Sequence, residues 1–150
     1  MHPVKILLVD DDTDLVDWLG YAFRRDGYKV YTATNGEAAS RLFETQAPDV
    51  VVLDLVMPRR DGMEVLRDIR KQSNAPVILL TAVGDEDHVI KALKSGADDY
   101  VVKPFRPREL RARVEAVLRR AQAAGQARPV PQEPLRCGNI ALDPGLKEVS

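Results

Sequence analysis

The chain has 150 residues, 45% of them hydrophobic and 30% charged, so it can bury a core and is not a disordered tail. Its 22 Lys and Arg nearly balance 23 Asp and Glu, for a net charge of -1, which excludes a polyelectrolyte built to coat nucleic acid or anionic lipid. One cysteine, Cys137, rules out an intramolecular disulfide and a cysteine-based metal cluster. No apolar run approaches the ~20 residues that cross a bilayer, and MHPVKILLVDDD meets acidic residues too soon for a signal peptide, so a cytoplasmic protein is expected.

Val4–Val9 is short, apolar and partly β-branched, the pattern of a strand buried on both faces, and it runs into Asp10, Asp11 and Asp12. Leu15, Trp18, Leu19, Ala22 and Phe23 follow at helical spacing until Gly27. Tyr28–Ala33 reads as a second strand, Asn35-Gly36 as a turn, and Ala38, Ala39, Leu42 and Phe43 as the apolar stripe of a second helix. Val50–Leu53 is a third strand ending at Asp54. Asp61, with Glu64 three residues on, predicts a capped helix start, and Val65, Leu66 and Ile69 its buried face. Val77–Leu80 ends at Thr81; Ile90 and Leu93 belong to a fourth helix closed by Gly96; Tyr100–Val102 ends at Lys103. Pro107 opens a last helix with Leu110, Val114, Val117 and Leu118 turned inward.

Strands alternating with helices in this way predict an α/β, doubly wound fold: five parallel strands with right-handed crossovers and helices on both faces. Ligands of such sheets bind beyond the carboxyl ends of the strands. Asp10, Asp11, Asp54, Thr81 and Lys103 all fall there, so distant positions are expected on one rim.

Composition changes after Arg120. AQAAGQARPVPQEP lacks aliphatic periodicity and carries three prolines, so residues 122–134 read as a linker between a domain over 1–121 and a segment over 135–150. That last segment resumes strand-like alternation around Asp143-Pro144-Gly145 but is too short to bury a core. It reads as the opening strands of a second domain.

Three aspartates on one rim repel each other, and unpaired, at least one would keep its proton. A hard dication removes the conflict, and oxygen ligands with open positions suit Mg²⁺. Asp54 stands alone at its strand end, so it is the better nucleophile, and an aspartate attacking phosphorus forms an acyl phosphate. Charge on the transferred group needs neutralising at its equatorial oxygens. The metal serves one, the Lys103 ammonium another as a point charge, and the Thr81 hydroxyl with the Ala82 backbone N–H the third.

ILLVDDD, VVVLDLVMPRRDG, VILLTA and GADDYVVKPF, in order over residues 4–120, together resemble the receiver domain of two-component response regulators. The resemblance implies the flavodoxin-like (CheY-like) (βα)5 form of the predicted fold. It implies Asp54 as phospho-acceptor, Asp10 and Asp11 as the acidic pair that binds Mg²⁺, and the Val56 carbonyl as a further metal ligand. Thr81 and Tyr100 would be the switch pair, and Lys103 would precede a cis proline, Pro104. A sensor histidine kinase is the implied phosphoryl donor. Asp12 is read as a residue of the helix start rather than a ligand.

PFRPRELRARVEAVLRR, with ADDY before it, resembles the OmpR/PhoB subclass, which joins a receiver to a winged-helix DNA-binding domain. By that resemblance the chain stops just inside its output domain, and DNA would be bound only through the missing part. The subclass also implies a homodimer through helix four, strand five and helix five, with Asp98, Asp99 and Glu109 pairing across to Arg113, Arg119 or Arg120. The helix-four position that is usually basic is Val89 here, with Lys91 or His88 as substitutes. The residues two places after the acceptor and after the threonine, Val56 and Val83, cannot orient a water by hydrogen bonding, so slow autodephosphorylation is expected. The alternative from another class is a haloacid-dehalogenase-like phosphatase with Asp10 as nucleophile, which Asp12, Thr81, Lys103, Asp98 and Asp99 imitate loosely.

Overall fold

The computed structural model describes residues 3–57 and 62–126, with the short pieces 144–145 and 147–148. Five strands and five helices alternate: β1 (Lys5–Val9), α1 (Thr13–Arg25), β2 (Lys29–Ala33), α2 (Gly36–Gln46), β3 (Val50–Asp54), α3 (Gly62–Gln72), β4 (Val77–Ala82), α4 (Glu86–Lys94), β5 (Asp99–Lys103) and α5 (Pro107–Gln126). The strands form one parallel sheet in the order β2-β1-β3-β4-β5. The doubly wound (βα)5 fold expected from the alternation is the fold observed. The chain divides into two units, residues 1–119 and 120–150. In the second, Pro144–Gly145 (β6) pairs with Lys147–Glu148 (β7).

The sheet separates two apolar layers. Leu7, Val9, Val51, Leu53, Val77 and Leu79 point to one face and pack with Phe43 of α2, Val65, Leu66 and Ile69 of α3 and Val89 and Ala92 of α4. Ile6, Leu8, Val50, Val52, Ile78, Leu80 and Val101 point to the other and meet Leu19 and Phe23 of α1 and Leu110, Val114 and Val117 of α5. A strand covered by helices on both sides has no polar face, which is why β1, β3 and β4 read as unbroken apolar runs. β2 lies at an edge and is only partly covered.

The helix starts are chemically marked. Asp12 caps α1, its carboxylate accepting the Leu15 N–H at 3.2 Å, and Asn35 caps α2 through the Ala38 N–H at 2.8 Å. Asn35-Gly36 is thus a helix entry and not a free turn. Asp61, expected to cap α3, lies outside the described residues. So do most of the expected linker and output segments.

Three expectations change. Trp18 is 50% exposed, and the buried stripe of α1 is Val16, Leu19, Gly20 and Phe23. Leu19 and Phe23 pack on the sheet with Ile6 and Leu8, and that contact turns Trp18 outward. Val89 faces the core and is no surface position of α4. The last helix continues to Gln126, into the stretch read as linker, because Ala and Gln are good helix formers and the first proline comes later, at Pro129.

Candidate functional site

β1 leads to β2 on one side and β3 continues the sheet on the other, so the winding reverses between β1 and β3. A crevice opens at such a reversal beyond the strand ends. Asp10 follows β1 and Asp54 ends β3. Asp10 (1% exposed), Asp54 (6%) and Thr81 (3%) are the buried polar side chains among the described residues, and all three stand at the carboxyl end of the sheet. Burying polar groups is costly unless something compensates, so their collection in one place marks the site.

The Lys103 ammonium lies 2.8 Å from Asp10 Oδ2 and 3.6 Å from Asp54 Oδ2. Backbone amides hold the carboxylates in place: the Val56 N–H donates to Asp54 Oδ1 at 3.2 Å, and the Asp12 N–H to Asp10 Oδ1 at 3.0 Å. Asp12 itself is turned to its capping bond and takes no part in the cluster. Burial, then the negative charge of Asp10, pushes the Asp54 carboxyl up to about 6, against the pull of Lys103 and the Val56 N–H. Burial lowers the Lys103 ammonium, but its contact with Asp10 and the charge on Asp54 outweigh that, and its pKa lies above the ordinary lysine value. The Lys103–Pro104 peptide bond is cis, as the resemblance implies.

Asp10, Asp11 and Asp54 each offer a carboxylate oxygen within 4.8 Å of the others. All-oxygen, all-anionic donors at that spacing fit a hard dication better than a soft metal. Asp11 is exposed, so the cluster opens to solvent on its side. The three carboxylates expected on this rim are therefore brought together, and the single Lys103 ammonium does not balance their charge.

Two features escaped the sequence reading. Gly62, the first residue of α3, lies against the end of β3: an added Cβ would fall 2.7 Å from the Leu55 Cα and closer still to the Asp54 carbonyl oxygen. Its N–H donates to the Leu55 carbonyl at 3.0 Å. The only sequence signal was the Asp61-Gly62 pair, which also fits an ordinary helix start. Arg70, near the end of α3, reaches the α4–β5 turn, a contact with no local signature at all.

Thr81 pairs with Val102, and Tyr100 stands two residues back along β5 on the same face. Tyr100 is 40% exposed and lines a groove of about 430 Å³ with Val83, Val89, Ile90, Leu93 and Val102. Val56 and Val83 are both exposed. Of the residues assigned to a dimer face, Asp98 is bonded to Arg70 at 3.0 Å and Asp99 to Arg113 at 3.0 Å within the chain. Glu109 lies 3.9 Å from Arg113, while Arg119 and Arg120 are exposed.

A fold wound this way, with a buried aspartate at its switch point facing an acidic pair and a lysine, is that of a receiver domain. The sequence pattern of the response regulator receiver domain matches residues 6–115, and the chain belongs to that family. It is 51% identical over 120 residues to a probable transcriptional regulator ycf27 of Guillardia theta, covering 80% of this chain and 47% of that protein. It is 47% identical over 121 residues to the alkaline phosphatase synthesis transcriptional regulatory protein PhoP of Bacillus subtilis, covering 80% of this chain and 50% of that protein. Among solved structures, the receiver domain of Francisella response regulator 1452 superposes with a TM-score of 0.73 at 39% identity, over 80% of this chain and 99% of that one. The chain spans about half the length of these curated relatives. These matches support the receiver reading and not the phosphatase with Asp10 as nucleophile.

Proposed function

We propose that this chain is the phosphorylation switch of a two-component response regulator, with Asp54 as acceptor. One observation carries the reading: a buried aspartate at the winding reversal, with Lys103 between it and Asp10. An Asp54 carboxylate oxygen attacks the phosphorus of a phosphohistidine on a sensor kinase. The P–O bond forms as the P–N bond breaks, and the imidazole leaves. Lys103 supplies a fixed positive charge beside the incoming oxygens. Asp10, Asp11, Asp54 and the Val56 carbonyl would hold Mg²⁺, which when bound neutralises charge on the phosphoryl group. Thr81, buried beside the site, turns its hydroxyl to the new dianion, and the Tyr100 ring moves into the space vacated.

The consequence is a population shift of the surface made by α4, β5 and α5 toward a homodimer. The relatives named transcriptional regulators motivate the rest of the proposal: residues 1–121 as receiver, 122–134 as linker and 135–150 as the start of a winged-helix output domain through which DNA is bound. Its place is the cytoplasm, where kinase and DNA are both reachable.

Acetyl phosphate with Mg²⁺ is expected to add one phosphoryl group by mass spectrometry in the wild type and none in Asp54→Asn. Full labelling of that variant refutes the assignment. The two exposed valines carry a second expectation. Val56→Asn gives the attacking water a hydrogen-bonding partner, so the acyl phosphate should decay several-fold faster than in the wild type; an equal or slower decay counts against the role given to Val56.

A further inference from the structure

The two ends of α4 are held differently. Of its nine residues, Val89 and Ala92 are buried, while Ile90 and Leu93 are exposed. At its start, Asp85 stands in the N-cap place with no side-chain cap bond; its carboxylate lies 3.7 Å from His88 of the same helix, its N–H donates only to the nearby Ala82 carbonyl at 3.2 Å, and the Val83 side chain just before it is exposed, so no bond there reaches another element of the fold beyond the end of β4. This loose end adjoins Thr81. The other end is different. The Arg70 guanidinium has five N–H donors, and five bonds receive them. Nε and Nη2 donate to the Gly96 carbonyl at 3.0 and 2.7 Å, and Nη2 also to Asp98 Oδ2 at 3.0 Å. Nη1 donates to the carbonyls of Ser73 and Ala75 at 3.3 and 2.7 Å. Asp98 Oδ2 also accepts the Val77 N–H at 2.8 Å, which joins this node to the first residue of β4. Gly96 has φ +114, and an added Cβ would sit 2.8 Å from Arg70 Nε, so the turn is shaped around the guanidinium.

We propose that Arg70 is the pivot of α4: it clamps the α4–β5 turn to α3 and β4, and leaves the end beside Thr81 free to move. A charge change at Asp54 is then converted into a swing of the Ile90–Leu93 face about the Arg70–Gly96 node. Arg70 touches none of the reacting groups and is a positioning residue. Phosphorylation as the stimulus rests on the function proposed above; the one-ended attachment is a property of the resting chain and is tested there.

An ordinary helix resists amide exchange best in its middle and frays at both ends. The pivot reverses this in α4. The Ser95 amide, bonded to the Lys91 and Ala92 carbonyls, the Gly96 amide, bonded to that of Leu93, and the Ala97 amide, bonded to that of Ala92, should be protected at least ~10-fold more than those of Val89 and Ile90 when exchange is followed by NMR in the unphosphorylated chain. Arg70→Gln should abolish the reversal and leave Val89 and Ile90 within about threefold of wild type. An ordinary profile in the wild type, or an unchanged profile in Arg70→Gln, overturns the pivot. If that variant does not fold, the wild-type profile decides alone. With acetyl phosphate and Mg²⁺, shift changes along wild-type α4 should fade before Gly96 and in the variant run through it. Mass spectrometry of the same samples separates the two ideas: no phosphoryl uptake refutes the acceptor reading, while the exchange profile still decides the pivot.

Discussion

At the scale of single residues, Asp54 carries a tension that makes it titrate out of place. Folded, it keeps its proton up to about 6; unfolded, it releases it near 3.8. Between those values the native state binds more protons, so stability falls as pH rises through this window and levels off above it. In a chelating buffer, urea denaturation from pH 4 to neutrality should show stability falling along that slope. Asp54→Asn should flatten it and leave the metal-free protein ~1–2 kcal/mol more stable at neutral pH, since solvent screens part of the repulsion. A metal-free Asp54→Asn less stable than wild type at neutral pH would show that the carboxylate repulsion has been misjudged. Asp10, Asp54, Thr81 and Lys103 were legible in the sequence because each follows an apolar run. Their mutual distances were not, since residues from four strands meet only when the sheet is assembled.

Among the elements, the strands and helices were readable because period-two and 3.6-residue patterns are local. Which side of a helix faces inward was less so. In α1, a stripe through Leu15, Trp18 and Ala22 and one through Val16, Leu19, Gly20 and Phe23 are both helical in period, and packing on the sheet buries the second. Val89 shows the same effect in α4. The join of β3 to α3 was hidden for a related reason: Gly62 looks like part of a helix start and serves to let α3 pass against the backbone of Asp54 and Leu55. Gly62→Ala must displace backbone on that side, where no flexible side chain can yield. A loss of ~1–3 kcal/mol is expected, read as a lower urea midpoint at unchanged m-value. A neutral substitution would mean that the β3–α3 connection adapts freely.

For the whole molecule, the proposed output is assembly. Phosphorylated chain should elute in size-exclusion chromatography as a dimer at concentrations where the unmodified chain is monomeric. Reversing the charge of Arg119 and Arg120 together should weaken that dimer by about threefold or more, with the effect shrinking as salt is raised, as exposed ion pairs do. Unchanged dimerisation in that variant would remove α5 from the interface. Asp98 and Asp99 already have partners within the chain, Arg70 and Arg113, so a cross-chain pairing through them competes with bonds already made. Local pattern alone determined the element order, the parallel doubly wound sheet and the five residues at its carboxyl rim, because strand burial and helix period are written over short stretches. Only the tertiary structure decided that Trp18 stays outside, that α3 reaches over to hold the end of α4, and that the Asp54 carboxyl shares its burial with Asp10. Each of these depends on which surfaces meet across the sheet, and no short stretch of chain encodes that.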